Sequence, residues 1–558
     1  MARKLCAWSH WHNETRLVQQ TVEVHNRKGI ALLNPYMVET YGLSPSAILD
    51  MVSLISLQTF DALHHPTAPT SIKALLPTLT PLRAFGWGGG REVEPSASAL
   101  QVRVGYYSMT GLNGGRLSIG RFLQSVIALH GMQGGAPALE AFCYGEQDND
   151  DGTEIYRMLA RGCAGGRVRD TAALSFADKA RAVRADGLDV FVDLSGYTHA
   201  PSFSAVSEHE GVRFKSSAHR LMALGMAPVQ ISWWGYTGTL GAEFVHLVAT
   251  DVLSSPPEMR GYYSEKMLYL AGTTYLVSDH SISRQEVILQ HPDAKVERQT
   301  AAHKGAALVS APSVPRPALP SGLAGRMAAD PAAGLPSRQA VLGTTKRVSV
   351  VFCSFNQFYK LNPDIWRVWM EILRRTGSDS VLWMLEFDGD AVNNLVEEAV
   401  MHGVHSSRII VTSLLPLHRE FLSKGTCDLY LDTPGFNAHT TAKDALWSGV
   451  PVLTLAGEGM ASRVAASLTL LLDPAGVTVA RTIEDYLNLA VRIGNSARTL
   501  ARLKRSVQER RWKSPLFDTL GWMGLWQRQL RNLADLVAAG YFPPAHVHLV
   551  GGSTRDAC

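Results

Sequence analysis

The sequence predicts an α/β protein made of two doubly wound halves that face each other across a cleft. Three observations carry that prediction. The chain has 558 residues, more than one hydrophobic core holds, because cores stop growing near ~250–300 residues. Short apolar runs alternate with helix-length stretches in two separate series, the pattern of parallel sheets covered by helices on both faces. Between the two series lies a stretch dominated by Ala, Pro, Gly, Ser and Arg. It has no helical or strand period and too few large apolar side chains to offset the entropy of ordering.

In chain order, residues 1–100 read as a helical N-terminal extension, with a Gly-rich break from Gly86 to Arg91. Residues 101–285 read as a first Rossmann-like domain. Its strands are expected at Val102–Ser108, Ala138–Tyr144, Val190–Leu194, Val229–Trp234, His246–Asp251 and Met267–Leu270. Helical patterns fall at Arg116–His130, Thr153–Arg161 and Phe176–Ala185. Residues 286–346 read as a disordered Ala/Pro-rich linker. The second Rossmann-like domain covers 347–500, with strands at Val348–Phe355, Val381–Phe387, Arg408–Ser413, Leu429–Asp432 and Pro451–Leu455. In the tail, 501–558, the stretch Ala501–Ala539 is helical, charged at first and then rich in Trp and Leu, as expected of a segment that packs back across a domain.

Composition narrows the function. A formal charge of +4 is too balanced to announce a nucleic-acid partner, and no apolar run approaches the ~18–20 residues of a membrane span. The opening residues lack the apolar core of a secretory signal. The six cysteines are scattered, with no CxxC pair, so neither a structural zinc site nor a disulfide framework is expected. A reducing compartment, cytoplasmic or nuclear, fits that usage.

Three segments carry chemistry. The stretch from Asp428 to Leu455 reads as strand, tight loop, short helix, strand: Pro434 and Gly435 break the first strand, Thr440 or Thr441 caps the new helix, and Gly449 with Pro451 ends it. The free N–H groups of that helix then face the carboxyl edge of a parallel sheet, where its dipole attracts phosphate. His439, Thr440 and Thr441 add donors there, and Asp444 lies one turn on, where a carboxylate accepts from ribose hydroxyls. The bland alternative is an ordinary capped helix. In the second segment, Phe355-Asn-Gln-Phe-Tyr-Lys360, a lysine in a strand-to-helix loop can neutralise a diphosphate with Gln357 beside it; otherwise it is a solvated loop lysine. The third pairs Asp193-Leu-Ser-Gly-Tyr-Thr-His199 with Trp233-Trp-Gly-Tyr-Thr-Gly-Thr-Leu-Gly241, two glycine loops that let a sugar approach main chain.

Together these segments resemble, in order, the catalytic region of the O-linked N-acetylglucosamine (O-GlcNAc) transferases and the related Spindly-type enzymes, over about Val102–His280 and Ser349–Ala539. Tyr263-Ser-Glu-Lys-Met, Gly457-Glu-Gly-Met-Ala-Ser-Arg-Val-Ala-Ala-Ser467 and Ser514-Pro-Leu-Phe-Asp-Thr519 belong to the same likeness. The resemblance implies a GT-B fold and transfer of GlcNAc from UDP-GlcNAc to Ser/Thr hydroxyls of intracellular proteins, inverting and without a metal or other cofactor. It implies that Lys360 and Gln357 hold the diphosphate, with Thr440 and Thr441 at the helix N-terminus. His439, in one string with Asn437, lies near the sugar-phosphate, Asp444 takes the ribose, and Gly235, Tyr236 and Thr237 form the sugar side. Keeping His439, where Spindly-type O-fucosyltransferases have a threonine-rich stretch, favours UDP-GlcNAc over GDP-fucose.

The departures fall on the acceptor half. Asp61 stands where the family has a His, with His64 and His65 just beyond; Thr110 and Gly114 replace an Asp and a His. His199 replaces a Lys, Thr237 replaces a Pro, and Glu420 replaces the uracil-side His, with His418 nearby. The general base stays open among His64, His65, His199 and a donor diphosphate oxygen. Two rivals follow: GDP-fucose transfer, and a catalytically weak nucleotide-sugar-binding protein. Asp388-Gly-Asp390 resembles a metal-binding DxD, though two aspartates in a charged loop are common. With no tetratricopeptide array in the sequence, protein acceptors would be presented by a separate repeat-containing partner or by repeats outside it. Neither nucleic acid nor membrane is an expected partner.

Overall fold

Parallel strands buried on both faces read as continuous apolar runs, and the predicted runs become strands of two parallel sheets. The computed structural model describes residues 8, 11–27, 41, 43–64, 102–109, 112, 119–131, 139–146, 154–198, 217–278, 280, 337–413, 420–539 and 547–548, with backbone only at 11, 13, 25, 61–64, 121, 125, 131, 154, 155, 158 and 547–548. The first sheet is built from β1 (Val102–Ser108), β2 (Leu139–Gly145), β3 (Arg169–Asp170), β4 (Val190–Asp193), β5 (Val229–Ser232), β6 (Leu247–Thr250) and β7 (Lys266–Tyr269). The second holds β8 (Val351–Ser354), β9 (Val381–Leu385), β10 (Ile409–Thr412), β11 (Leu429–Leu431), β12 (Val452–Leu455) and β13 (Val479–Ala480), and β14 (Val547–His548) returns to the first. Their orders are β14-β7-β6-β5-β4-β1-β2-β3 and β10-β9-β8-β11-β12-β13.

Both orders reverse once, between β1 and β4 and between β8 and β11. Loops at the carboxyl ends of strands on either side of such a reversal diverge to opposite faces and leave a crevice for ligand. In the second sheet the register Tyr430↔Cys353 sets β11 beside β8, so the loops that follow, 355–361 and 432–439, flank that crevice.

The helices are α1 (Trp11–Arg27), α2 (Pro45–His64), α3 (Ile119–Ala128), α4 (Glu154–Arg161), α5 (Phe176–Ala185), α6 (Ser217–Ala223), α7 (Arg338–Leu342), α8 (Pro363–Arg375), α9 (Gly389–Met401), α10 (Glu420–Lys424), α11 (Thr440–Trp447), α12 (Val464–Leu472), α13 (Ile483–Gly494), α14 (Ala497–Arg510) and α15 (Thr519–Ala538). Alternation along the strands of the second sheet assigns the faces. Phe352, Leu382, Leu429 and Leu453 pack with Trp366 and Trp369 of α8 and Tyr486 of α13. Val351, Trp383, Tyr430 and Val452 face the other way, with Leu446 of α11 and Leu468 of α12. Helix α15 crosses to the first sheet, where Trp522 and Trp526 stack on Trp233 at centroid distances of 5.2 and 4.8 Å and Trp526 Nε1 donates to Tyr106 Oη at 2.8 Å.

Four differences from expectation have physical reasons. Cys143 is bonded to Cys163 and Cys353 to Cys427, against the expectation of free thiols. Parallel pairing brings these residues together across 20 and 74 positions, which chain spacing does not show. The end of the predicted linker, from residue 337, contains α7: Ser337 caps it, Gly343 ends it at φ 62, and Arg338 bonds Asp428 at 2.8 Å. The rest of that segment lies outside the described residues. The helical tail is two helices, because Pro515 interrupts it at a 3-10 turn. Strands β3, β13 and β14 have two residues each, too short for any periodicity.

Candidate functional site

The loop after β8 makes one tight turn, Phe358–Lys360, before α8, which Asn362 caps by accepting from Ile365 N at 2.9 Å. This turn buries Lys360, whose Nζ donates to the carbonyl of Asn437 at 2.8 Å and lies 4.1 Å from the centre of the Phe436 ring. The loop after β11 is held from beneath by Asp432, fully buried, which accepts from Ala438 N and from Thr454 Oγ1, both at 2.6 Å. Asn356 joins the loops, donating to Thr433 Oγ1 at 2.8 Å and accepting from Thr441 Oγ1 at 2.9 Å. Asn437 donates to Thr433 O at 3.0 Å and accepts from Ala465 N at 3.3 Å. Lys360, Gln357, Asn437, His439, Thr440 and Thr441 are thereby gathered at one sheet edge.

Helix α11 starts differently from the sequence expectation. Its N-cap is His439, with no side-chain cap bond, and Thr440 and Thr441 are its first helical residues. The first-turn N–H groups therefore lack the oxygen that a Ser or Thr cap would supply. His439 Nε2 lies 3.0 Å from Ala461 O. A carbonyl only accepts, so Nε2 carries the proton and the neutral ring's Nδ1 is an acceptor. Burial, then the charge of Lys360, holds the His439 pKa well below its usual value. His439 is thus neutral, with its N–H on Ala461 O and an acceptor at Nδ1. Burial pushes Asp432 the opposite way, up to about 7, against the pull of its hydrogen bonds and of Lys360.

Asp444 is buried, with one oxygen 3.0 Å from His280 Nε2 and the other 3.2 Å from Lys424 Nζ. Lys424 also pairs with Glu420 at 2.5 Å, so the residue aligned with the uracil-side His is committed to an ion pair. A ribose at Asp444 would exchange for one of these partners.

On the facing side, the loop after β5 turns at Trp234, which has φ 77. Gly235 follows because a Cβ there would meet Leu194 O at 2.2 Å, and one at Gly196 would meet Tyr236 Cβ at 2.4 Å. Tyr236 and Thr237 are buried, and Thr237 Oγ1 has no hydrogen-bond partner among the described residues. Glu265 clamps the far end of the loop, accepting from Leu240 N at 2.5 Å and Thr239 Oγ1 at 2.6 Å. Adjacent carbonyls of the segment after β7 join the halves: Lys443 Nζ of α11 donates to Leu276 O at 2.9 Å and Trp234 Nε1 to Val277 O at 2.8 Å.

His65, His199, His418, Thr110 and Gly114 lie outside the described residues, as do the side chains of Asp61 and His64. Sequence reasoning did not single out Asn356, Asp432, Phe436, Lys443 or His280 for the site. Asn356, Asp432, Phe436 and Lys443 sit inside the two stretches already noted, and His280 carries no local signal. Asp388 caps α9, accepting from Asp390 N at 3.0 Å and Ala391 N at 3.1 Å; helix capping accounts for the DxD-like string. Among the described residues no group of three His, Cys, Asp or Glu could hold a metal, and no helix is long and apolar enough to cross a membrane.

The family model for glycosyl transferase family 41 matches residues 91–312 and 331–523, most of the chain. The chain belongs to glycosyl transferase family 41. It is 26% identical over 505 residues to the probable UDP-N-acetylglucosamine–peptide N-acetylglucosaminyltransferase SEC of Arabidopsis thaliana, covering 89% of this chain and 44% of that protein. To the UDP-N-acetylglucosamine–peptide N-acetylglucosaminyltransferase of Caenorhabditis elegans it is 25% identical over 578 residues, covering 92% of this chain and 46% of the relative. This family 41 chain thus spans less than half the length of these curated relatives. Among solved structures, a mutant O-GlcNAc transferase of Thermobaculum terrenum superposes with a TM-score of 0.58 at 21% identity, covering 94% of this chain and 92% of that one. The fold is the GT-B arrangement of two Rossmann-like domains.

Proposed function

We propose that this chain is a protein O-GlcNAc transferase that moves GlcNAc from UDP-GlcNAc to Ser or Thr hydroxyls by direct, inverting displacement without a metal. The observation that carries this is the meeting, at the second sheet's reversal point, of the Lys360 ammonium with the α11 N-terminus, where the N-cap residue His439 makes no side-chain cap bond. Both favour a diphosphate, and more strongly as negative charge builds on it when the glycosidic bond breaks. The proposal has the donor phosphate exchange places with Asn437 O at Lys360 and accept from the first-turn N–H groups beside Thr440 and Thr441, with Gln357 at its edge. The inverted anomeric carbon must then face the Gly235–Thr237 loop, where the buried Thr237 hydroxyl is available to a sugar hydroxyl. His439 contributes an acceptor at Nδ1, not charge. The names of the relatives and the family membership support the donor and acceptor classes.

Calorimetric titration with UDP, UDP-GlcNAc, GDP and GDP-fucose in EDTA, followed by a sugar-release assay, tests this. Uridine-selective binding with EDTA-insensitive turnover is the expected result. Guanosine selectivity overturns the donor assignment, loss of turnover in EDTA overturns the metal-free route, and binding without turnover leaves a nucleotide-sugar-binding protein.

A further inference from the structure

The segment that leaves β7 is buried from Thr274 to Ser278, and four consecutive carbonyls along it accept from side chains of α15, of α11 and of the loop after β5. Trp522 Nε1 of α15 donates to Thr274 O at 2.8 Å. Trp233 Nε1 donates to Tyr275 O at 3.0 Å. Lys443 Nζ of α11 and Trp234 Nε1 take Leu276 O and Val277 O. The strap's far end is held again at α11, where His280 meets Asp444. Asp251 anchors the start of the segment, accepting from Tyr275 N and Thr274 Oγ1 at 3.2 Å, and Val277 N turns back to Tyr275 O at 3.1 Å. Beyond that the side-chain donors hold the strap's carbonyls, and buried carbonyls need such partners.

Two of those donors have a second consequence. Trp234 is the one non-glycine residue with positive φ among those described, a backbone state that persists only when its surroundings over-determine it. Its ring lies 5.3 Å from Phe122, and its indole N–H is spent on the strap. The direction of the Gly235–Thr237 loop follows from that bond. Lys443 sits in the other domain, on the helix whose first turn forms the donor-phosphate end of the site, and is fully buried. No solvent replaces its bond to Leu276 O if the ammonium is removed.

We propose that the strap 274–278 positions the Trp234–Thr237 loop against helix α11, and that Lys443 and Trp234 are positioning residues that act through it on the sugar-side loop. The consequence for catalysis rests on the donor reading above; the mechanical claim does not. Lys443→Met and Trp234→Phe each remove one donor while keeping bulk. In the full ligand-free chain, hydrogen exchange of a peptide spanning 233–241 should rise at least ~10-fold in either variant, about 1.4 kcal/mol of local protection. Peptides from β11 and β12 should exchange as in wild type. The double variant should be no worse than the worse single one, since both act along one path; independent structural damage would add. Calorimetry should give UDP affinities within ~3-fold of wild type, with the loss in kcat.

Wild-type protection of 233–241 in Lys443→Met, additive effects in the double variant, or loosening spread evenly over both domains would each overturn the proposal. Should Lys443→Met fail to fold, Trp234→Phe decides by the converse readout: the strap peptide 274–278 must lose protection with that of 233–241. If wild type binds no UDP, the donor reading falls while the exchange comparison still decides the strap.

Discussion

Replacing Asp432 with Asn tests the electrostatics beneath the β11 loop. The wild-type carboxyl titrates near 7 in the folded chain because burial penalises its charge, whereas an unfolded Asp titrates near ~3.9. Between about pH 4 and 7 the folded state therefore holds a proton that the unfolded state has released. Stability must fall as pH rises through that window and level off above it. A shift of about three units corresponds to roughly 4 kcal/mol over the whole window, or up to ~1.4 kcal/mol per pH unit. Asn keeps the shape: its carbonyl accepts from Ala438 N and its amide donates to a rotated Thr454 hydroxyl, so both bonds survive without a charge. Ala would instead leave Ala438 N without its acceptor, at a cost of about 1–3 kcal/mol. A two-domain chain need not unfold in one step, so the assay is hydrogen exchange of peptides covering 429–439 at pH 5, 6, 7 and 8, corrected for intrinsic rates. Wild-type protection should drop by up to ~10-fold per unit between pH 5 and 7 relative to Asp432→Asn, with the variant more protected at pH 8. Parallel profiles for the two proteins would refute the burial argument, since Asp193, also raised to about 6 by burial, contributes equally to both.

Lys360→Met should fold and lose about 100-fold in UDP affinity, near 3 kcal/mol for a charge-assisted contact; unchanged calorimetric affinity would remove the phosphate site from this loop. Gly235→Ala places a Cβ 2.2 Å from Leu194 O, so sugar transfer should fall at least tenfold while UDP binding holds, and a fully active variant would show that the loop does not face the sugar. Under denaturing, non-reducing conditions Cys143, Cys163, Cys353 and Cys427 should resist alkylation until reductant is added, which peptide mass spectrometry reads directly. Asp388→Ala should cost about 1 kcal/mol as a lost helix cap with turnover intact; lost turnover that Mn²⁺ restores would return the DxD-like string to candidacy.

The fold class, most central strands to within a few residues, and the two loops proposed to hold the donor phosphate are legible in the sequence. Those properties are local: buried parallel strands are mostly apolar, wholly so in Val381–Leu385, and Pro363 and Gly449 mark helix ends wherever the chain goes. Family-level likeness then placed Lys360, His439, Thr440 and Thr441 in one site, and the structure gathers them at the β8–β11 reversal. Only the tertiary structure decided what each of these groups is already doing. It spends the N–H of His439 on Ala461, closes Asp444 between His280 and Lys424, bonds Cys353 to Cys427, and hands the carbonyls of 274–277 to three tryptophans and a lysine. A hydrogen bond or a disulfide is a contact between atoms a few ångströms apart, whereas the residues that form these are separated by 20 to 248 positions in the chain. No periodicity or spacing encodes such a distance; sheet order does.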